Sequence, residues 1–196
     1  MGNRLSGGDA AMTLLVNSMA TGLMLAVLIV ILAPLSGAHL NPAVTLLEAL
    51  QRRTAWGELA PYVAGQILGA FVGVAIAHLM FGQDIFTASH HARAGGAQLL
   101  SEFIATFGLF TVIRGTARRH PEVTALAVGG YITSAYWFTA STAFANPAVT
   151  LARCVTDTFA GIRPQDAPGF LVAQLLGAAA ATGLFSWLDR RQPEQP

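Results

Sequence analysis

The pentapeptide Asn-Pro-Ala-Val-Thr occurs twice, at Asn41–Thr45 and again 105 residues later at Asn146–Thr150. Each copy follows a long apolar run, and few folds tolerate that arrangement. Asn is a preferred helix N-cap and Pro is favoured at the first helical position, so each box starts a helix. The run ahead of the first box, Ala10–Leu35, carries no charge and is long enough to cross a bilayer, which takes about 20 apolar residues. A helix that begins immediately after such a run begins at or near membrane depth. Non-helical backbone is tolerated there only where it is buried in protein or lines a cavity. From Asn41 to Gln51 there is room for roughly 16 Å of helix, half the thickness of the hydrocarbon core. A lone Asn-Pro reads as a plain helix cap. Two identical copies beside spanning-length runs read as two half-helices that enter from opposite faces and meet N-terminus to N-terminus.

The repeat extends beyond the boxes. Gln-Ile-Leu-Gly-Ala at Gln66–Ala70 returns as Gln-Leu-Leu-Gly-Ala at Gln174–Ala178, shifted by 108 residues, with the extra residues in the loop Thr156–Pro168. Each unit therefore reads as a long helix, a box with a short helix, and a second long helix rich in small residues such as Gly65, Gly69 and Gly73, which allow close helix approach in lipid. We take 1–93 as the first repeat and 94–196 as the second within a single transmembrane domain. The second unit has a further helix at its start, around 97–118, carrying Glu102. Shifted back by 105 residues, its counterpart falls before Met1, so a sixth span is expected that the chain as given lacks.

Charge supports a membrane protein. Only 11% of residues are charged and 54% are hydrophobic, against about 25% charged in soluble domains. Five charge-poor windows are candidate spans: Ala10–Leu35, Leu59–Gln83, Ala94–Ile113 around Glu102, Val123 to about Thr142, and Ala167–Leu188. A net charge of +1 without lysine offers no broad basic field for nucleic acid. The single cysteine excludes an intrachain disulfide. Arg52, Arg53, Arg114, Arg118, Arg119, Arg190 and Arg191 cluster at one set of helix ends, against Arg4, Arg93 and Arg163 at the other; the positive-inside tendency makes the first set cytoplasmic.

These boxes, with "SGAHLNPAVT", Glu102 in "SEFIATF" and the paired Gln-x-x-Gly-Ala segments, make the chain resemble the aquaporins, or major intrinsic protein family, over essentially its whole length. "FANPAVTLARCVTDTFAGI" is similar to the branch associated with bacterial arsenic-resistance operons. The resemblance implies an all-α membrane fold with an aquaporin-like inverted repeat: five full spans here, six in a complete protein, plus two re-entrant half-helices. It implies a homotetramer in the inner cell membrane and a passive pore for small uncharged solutes. The pore boxes would be Asn41, Pro42, Ala43, Asn146, Pro147 and Ala148. Carried over by spacing, the selectivity constriction would be Thr21, Ser134, Ala143 and Val149, a set without charge or aromatic ring, where most members have arginine in place of Val149. Glu102 would steady the loop before the second box, and His39 would brace the first. The implied solutes are arsenite-type metalloids or glycerol, with ions and protons excluded by the opposed dipoles and no cofactor or metal.

Four other readings stand beside this one: a water-selective pore, a truncated non-conducting product, a coupled transporter and an intramembrane enzyme. The transporter would need acidic residues in the spans. The enzyme would need a nucleophile, base or metal cluster, and neither HExxH nor GxSxG occurs. For Glu48 and Arg153, seven residues after their asparagines, reach toward polar surroundings is the simpler reading than a tuned charge pair. His90, His91 and Cys154 read as external-loop and packing residues.

Overall fold

The computed structural model describes residues 1–117 and 119–190. These form helices α1 (Gly2–Leu5), α2 (Ala10–Ser36), α3 (Pro42–Leu50), α4 (Trp56–Met80), α5 (Gly96–Thr116), α6 (Pro121–Phe138), α7 (Pro147–Arg153) and α8 (Ala167–Asp189). A single 3-10 turn, Pro164–Asp166, leads into α8. The boundaries follow local chemistry. Asp9 caps α2, its carboxylate accepting from the Met12 amide at 3.0 Å, and Gly37 ends that helix at φ 76°, a left-handed C-cap suited to glycine. Pro42 and Pro147 open α3 and α7 directly behind their asparagine caps.

Four helices, α2, α4, α5 and the turn-plus-helix Pro164–Asp189, are long and apolar enough to cross a membrane. The fifth expected span, α6, has 18 residues and lies within the usable range of about 17–25. It also occupies the place in the second unit that α2 holds in the first.

Packing follows the repeat. α2 lies against α6, and α3 meets α7. Each half-helix touches the last helix of its own unit (α3 with α4, α7 with α8) and the last helix of the other unit (α3 with α8, α7 with α4). Small residues allow the α2–α6 approach. A methyl on Gly22 would collide with Thr133 and the Gly129 carbonyl, and one on Gly129 would strike the Gly22 carbonyl and Ala26. The α5–α8 pair is equally close at Gly177, where a Cβ would meet the Phe103 carbonyl. Its repeat counterpart on α4, Gly69, faces open space, as do Gly65 and Gly73. No described element occupies the position on α4 that α5 occupies on α8. Met1–Asp9 supply only the four-residue α1 and a turn.

The arginine pattern matches the ends of the bundle. Arg114 Nη1 donates to Gln51 Oε1 at 2.8 Å and its Nη2 to Asp189 at 3.3 Å, so α3, α5 and α8 finish together at one end. Arg4, Arg93 and Arg163 lie at the other end, where Arg4 donates to the Phe81 carbonyl at the close of α4. Arg118 and Arg191 lie outside the described residues.

Replacing Gly129 with Leu puts a branched side chain into the α2–α6 crossing. The expected cost is about 1–3 kcal/mol, typical of an overpacked core. Thermal unfolding in detergent should show a lowered midpoint, whereas Gly69→Leu on the open face of α4 should leave it within error.

Candidate functional site

The two boxes meet through a reciprocal pair of hydrogen bonds. Asn41 Nδ2 donates to the Ala145 carbonyl at 2.7 Å, and Asn146 Nδ2 donates to the Leu40 carbonyl at 2.8 Å. Each asparagine therefore binds the residue just ahead of the other. Its Oδ1 meanwhile caps its own half-helix, accepting from Ala43 N at 3.0 Å in the first box and from Ala148 N at 3.0 Å in the second. Pro42 and Pro147 contribute no amide there, which removes one donor that each helix start would otherwise have to satisfy. The N-termini of α3 and α7 face each other inside the bundle, with Asn41, Ala43 and Ala148 buried.

The stretches ahead of the boxes carry left-handed residues at repeat-related positions. Ala38 and Leu40 have φ of 48° and 50°, and their counterparts Ala143 and Ala145 have 47° and 48°. Gly37 at 76° matches Thr142 at 61°. Left-handed non-glycine residues cost of order 1–3 kcal/mol each and persist only where their surroundings hold them. The carbonyls of Ala38 and His39, and those of Ala143 and Phe144, accept no hydrogen bond from any described residue. Two short ladders of unused acceptors thus lead up to the pair of asparagine amides, each of which keeps a second N–H.

The supports differ between the units. In the second, the fully buried Glu102 accepts from Phe144 N at 2.8 Å, Ala145 N at 2.9 Å and Gln174 Nε2 at 2.7 Å. Gln174 also donates to Thr150 Oγ1 at 2.8 Å, and Thr150 donates to the Asn146 carbonyl. The first unit repeats the outer part of this chain: Gln66 donates to Thr45 Oγ1 at 3.0 Å, and Thr45 to the Asn41 carbonyl. No described carboxylate matches Glu102 there. His39 braces that loop instead, its ring stacked on Tyr62 at 4.9 Å and its Nδ1 3.2 Å from Thr45 Oγ1.

Of the expected constriction set, Ser134 is the residue the structure turns away from the buried side of its helix. Ser134 is exposed, donates to the Gly130 carbonyl of its own helix, and lies opposite the buried stripe of α6 formed by Ala125, Val128, Ile132 and Ala135. Two residues on, a turn of about 200° brings Tyr136 to the buried side. Tyr136 is 2% exposed, and its hydroxyl donates to Thr21 Oγ1 at 3.4 Å. Val149 is half-buried on α7 and Ala143 is buried. Glu48 keeps the simple reading, pairing with Arg53 at 3.5 Å.

Arg93, which sequence placed only at the outer end, ties the outer loops together. It is 5% exposed. Its Nε donates to the Gly161 carbonyl at 2.8 Å, Nη1 to that of Ser141 at 3.0 Å and Nη2 to that of Phe159 at 3.1 Å, while its backbone N–H reaches Asp166 Oδ2 at 2.8 Å. Burial, with the nearby Arg153 guanidinium, lowers the Arg93 pKa to about 10, so it stays charged at neutral pH. Asp166 also accepts from the Arg163 guanidinium at 3.0 and 3.1 Å. His90 pairs with Asp157 at 3.2 Å. Among the described residues no three His, Cys, Asp or Glu side chains converge on a metal position.

An inverted repeat with two half-helices joined head to head by asparagine caps, at the centre of a bundle of spanning-length helices, defines a channel-type class of polytopic membrane protein. The chain belongs to the major intrinsic protein family, which it matches over residues 3–133 and 118–195. It is 53% identical to Aquaglyceroporin AqpS of Rhizobium meliloti (strain 1021) over 96% of this chain and 80% of the relative. It is 35% identical to Probable aquaporin AqpM of Archaeoglobus fulgidus over 88% of this chain and 75% of the relative. It is 32% identical to Probable aquaporin TIP3-2 of Oryza sativa subsp. japonica, with 93% and 71% covered. It is a multi-pass membrane protein.

Two outcomes test this arrangement. Glu102→Gln keeps the shape but sets an amide against N–H donors, stranding at least one of them at about 1–3 kcal/mol each. A lower unfolding midpoint is expected, with increased hydrogen exchange at Phe144 and Ala145. Asp166 holds both the Arg93 backbone amide and the Arg163 guanidinium, so Asp166→Asn removes the charge from both contacts at once. Limited proteolysis should cut the loop around Gly161 several-fold faster in Asp166→Asn than in the wild type.

Proposed function

We propose that the chain is a passive channel for small uncharged solutes, with glycerol and arsenite-type metalloids as the solute class. The observation that carries this reading is the head-to-head seam. Two asparagine amides with spare donors sit between two ladders of unused carbonyls, and these groups replace the hydration shell of a polar solute one contact at a time. The seam offers exchangeable hydrogen bonds and no nucleophile, so it suits passage rather than reaction.

Charge supports the neutral-solute part. The positive ends of α3 and α7 point at each other, each worth roughly half an elementary charge, which raises the barrier for cations and for proton transfer. The one carboxylate nearby, Glu102, is spent on backbone amides and Gln174. A water-selective pore is the second reading. Against it stands Val149, which leaves the position after the second box without donors and with more room beside Ala143. Thr21 and Tyr136, which hydrogen-bond each other, would add hydroxyls to the constriction in this reading. The relative named as an aquaglyceroporin favours glycerol among the solutes. The arginine-rich end would face the cytoplasm across the inner cell membrane, and the working unit would be a homotetramer with one pore per chain.

Val149→Arg tests the solute class. In proteoliposomes the variant should lose glycerol and arsenite flux several-fold more than water flux, because the added guanidinium narrows the passage beside Ala143. Equal loss of all fluxes would indicate damage to the fold, and unchanged flux would place the constriction elsewhere.

A further inference from the structure

Arg153 closes α7 one helical turn beyond Val149 and on the same face, roughly 10 Å of helical rise outward from Asn146. Helical rise alone would aim it into the outer vestibule. Its side chain instead folds against the bundle: Nη2 donates to the Tyr136 hydroxyl at 2.9 Å, and Cζ lies 4.2 Å from the centre of the Phe144 ring. Tyr136 in turn reaches Thr21. Groups from α2, α6, α7 and the loop before the second box thus join in one chain that Arg153 completes.

Nothing in the protein fully uses this guanidinium. Nη1 is shut off from bulk solvent and has no acceptor among the described residues. No described carboxylate stands within ion-pair distance of Arg153. The contrast with Arg93 is direct. That arginine, also over the Phe144 ring, donates through all three of its nitrogens to loop acceptors. Leaving a buried, charged donor unmade is costly, so a partner from outside the chain is called for. A cavity of about 470 Å³ adjoins Arg153; its polar lining includes Arg4, Asn17, His78 and Thr156, with Val16 and Val74 among its apolar walls. With two guanidinium groups and no carboxylate, that lining disfavours cations, and its amide and hydroxyl groups suit a small hydroxyl-bearing molecule.

We propose that Arg153, held by Tyr136 and Phe144, is the specificity-determining residue of the outer entrance: its free donor takes a hydroxyl oxygen of a small polyol as the solute sheds water, and its fixed charge turns cations away. The inference rests on the channel reading above and adds a residue outside the constriction set carried over by spacing. Val149 leaves its own position without a cation, and the next turn of the same helix supplies one.

The test measures water, glycerol and potassium permeability of proteoliposomes holding the full chain, for wild type, Arg153→Met, Arg153→Gln and Arg153→Lys. Each protein is assayed once it elutes as the wild-type species on size exclusion. Met fills similar space without a donor; its glycerol-to-water ratio should fall several-fold and its potassium leak should rise. Gln keeps a donor without charge; it should retain most of the ratio but share the leak. Lys keeps the charge but cannot span both Tyr136 and a solute as a planar fork does; it should block potassium and show an intermediate ratio. If Met does not assemble, the opposed behaviour of Gln and Lys decides the matter. A ratio and leak unchanged across the recovered variants, or water and glycerol falling together, would overturn the proposal as a merely structural arginine. A wild-type protein that passes no glycerol and no water would overturn the channel reading itself, and this inference with it.

Discussion

The structure depends on one constraint: backbone that leaves a helix at membrane depth must satisfy its polar groups without water. The two boxes meet it jointly. Each asparagine caps its own half-helix with Oδ1 and binds the other loop with Nδ2, so neither half-helix end is complete without the other. Proline at the next position removes one amide that would otherwise need a partner. The carbonyls left over are those a permeating molecule would meet, and the seam that holds the bundle together is also the place where a solute would exchange its hydrogen bonds.

That economy explains why the surrounding supports are polar inside an otherwise apolar bundle. Among the described residues six non-glycine residues stand in the left-handed region, five of them in the loops just ahead of the boxes. Glu102 is the strongest brace: a carboxylate with three donors holds the second loop against relaxation. The first loop relies on a stacked histidine and on hydroxyl contacts from Tyr62 and Thr45, which are weaker groups. The two halves share geometry without sharing the same stiffness. Outside the seam, Arg93 does for the outer loops what Glu102 does for the inner one, with the opposite charge and with carbonyls in place of amides.

Much of this was legible in the residues. The doubled Asn-Pro-Ala-Val-Thr implies two capped half-helices, and the Gln66/Gln174 echo marks the side chains that hold Thr45 and Thr150. What could not be read depends on rotation and reach. Ser134 and Tyr136 are two residues apart, and a spacing count carried across a loop cannot tell which faces inward when each residue turns the helix by about 100°. Arg153 sits at the distance that helical rise predicts, but its long side chain bends back toward an aromatic ring and a hydroxyl from elsewhere in the chain. Arg93 lies in an aperiodic loop, and its role exists only once the carbonyls of Ser141, Phe159 and Gly161 come together. The left-handed alternation ahead of each box likewise leaves no mark in residue type, since alanine and leucine ordinarily avoid it.

The central claim is that polar solutes cross at the seam by exchanging hydrogen bonds with fixed groups, driven by their own gradient alone. The most direct measurement is glycerol entry into proteoliposomes under imposed proton and sodium gradients of either sign. The account predicts a rate that follows the glycerol gradient and does not respond to either ion gradient. Entry that requires an ion gradient, or reverses with its sign, would contradict it.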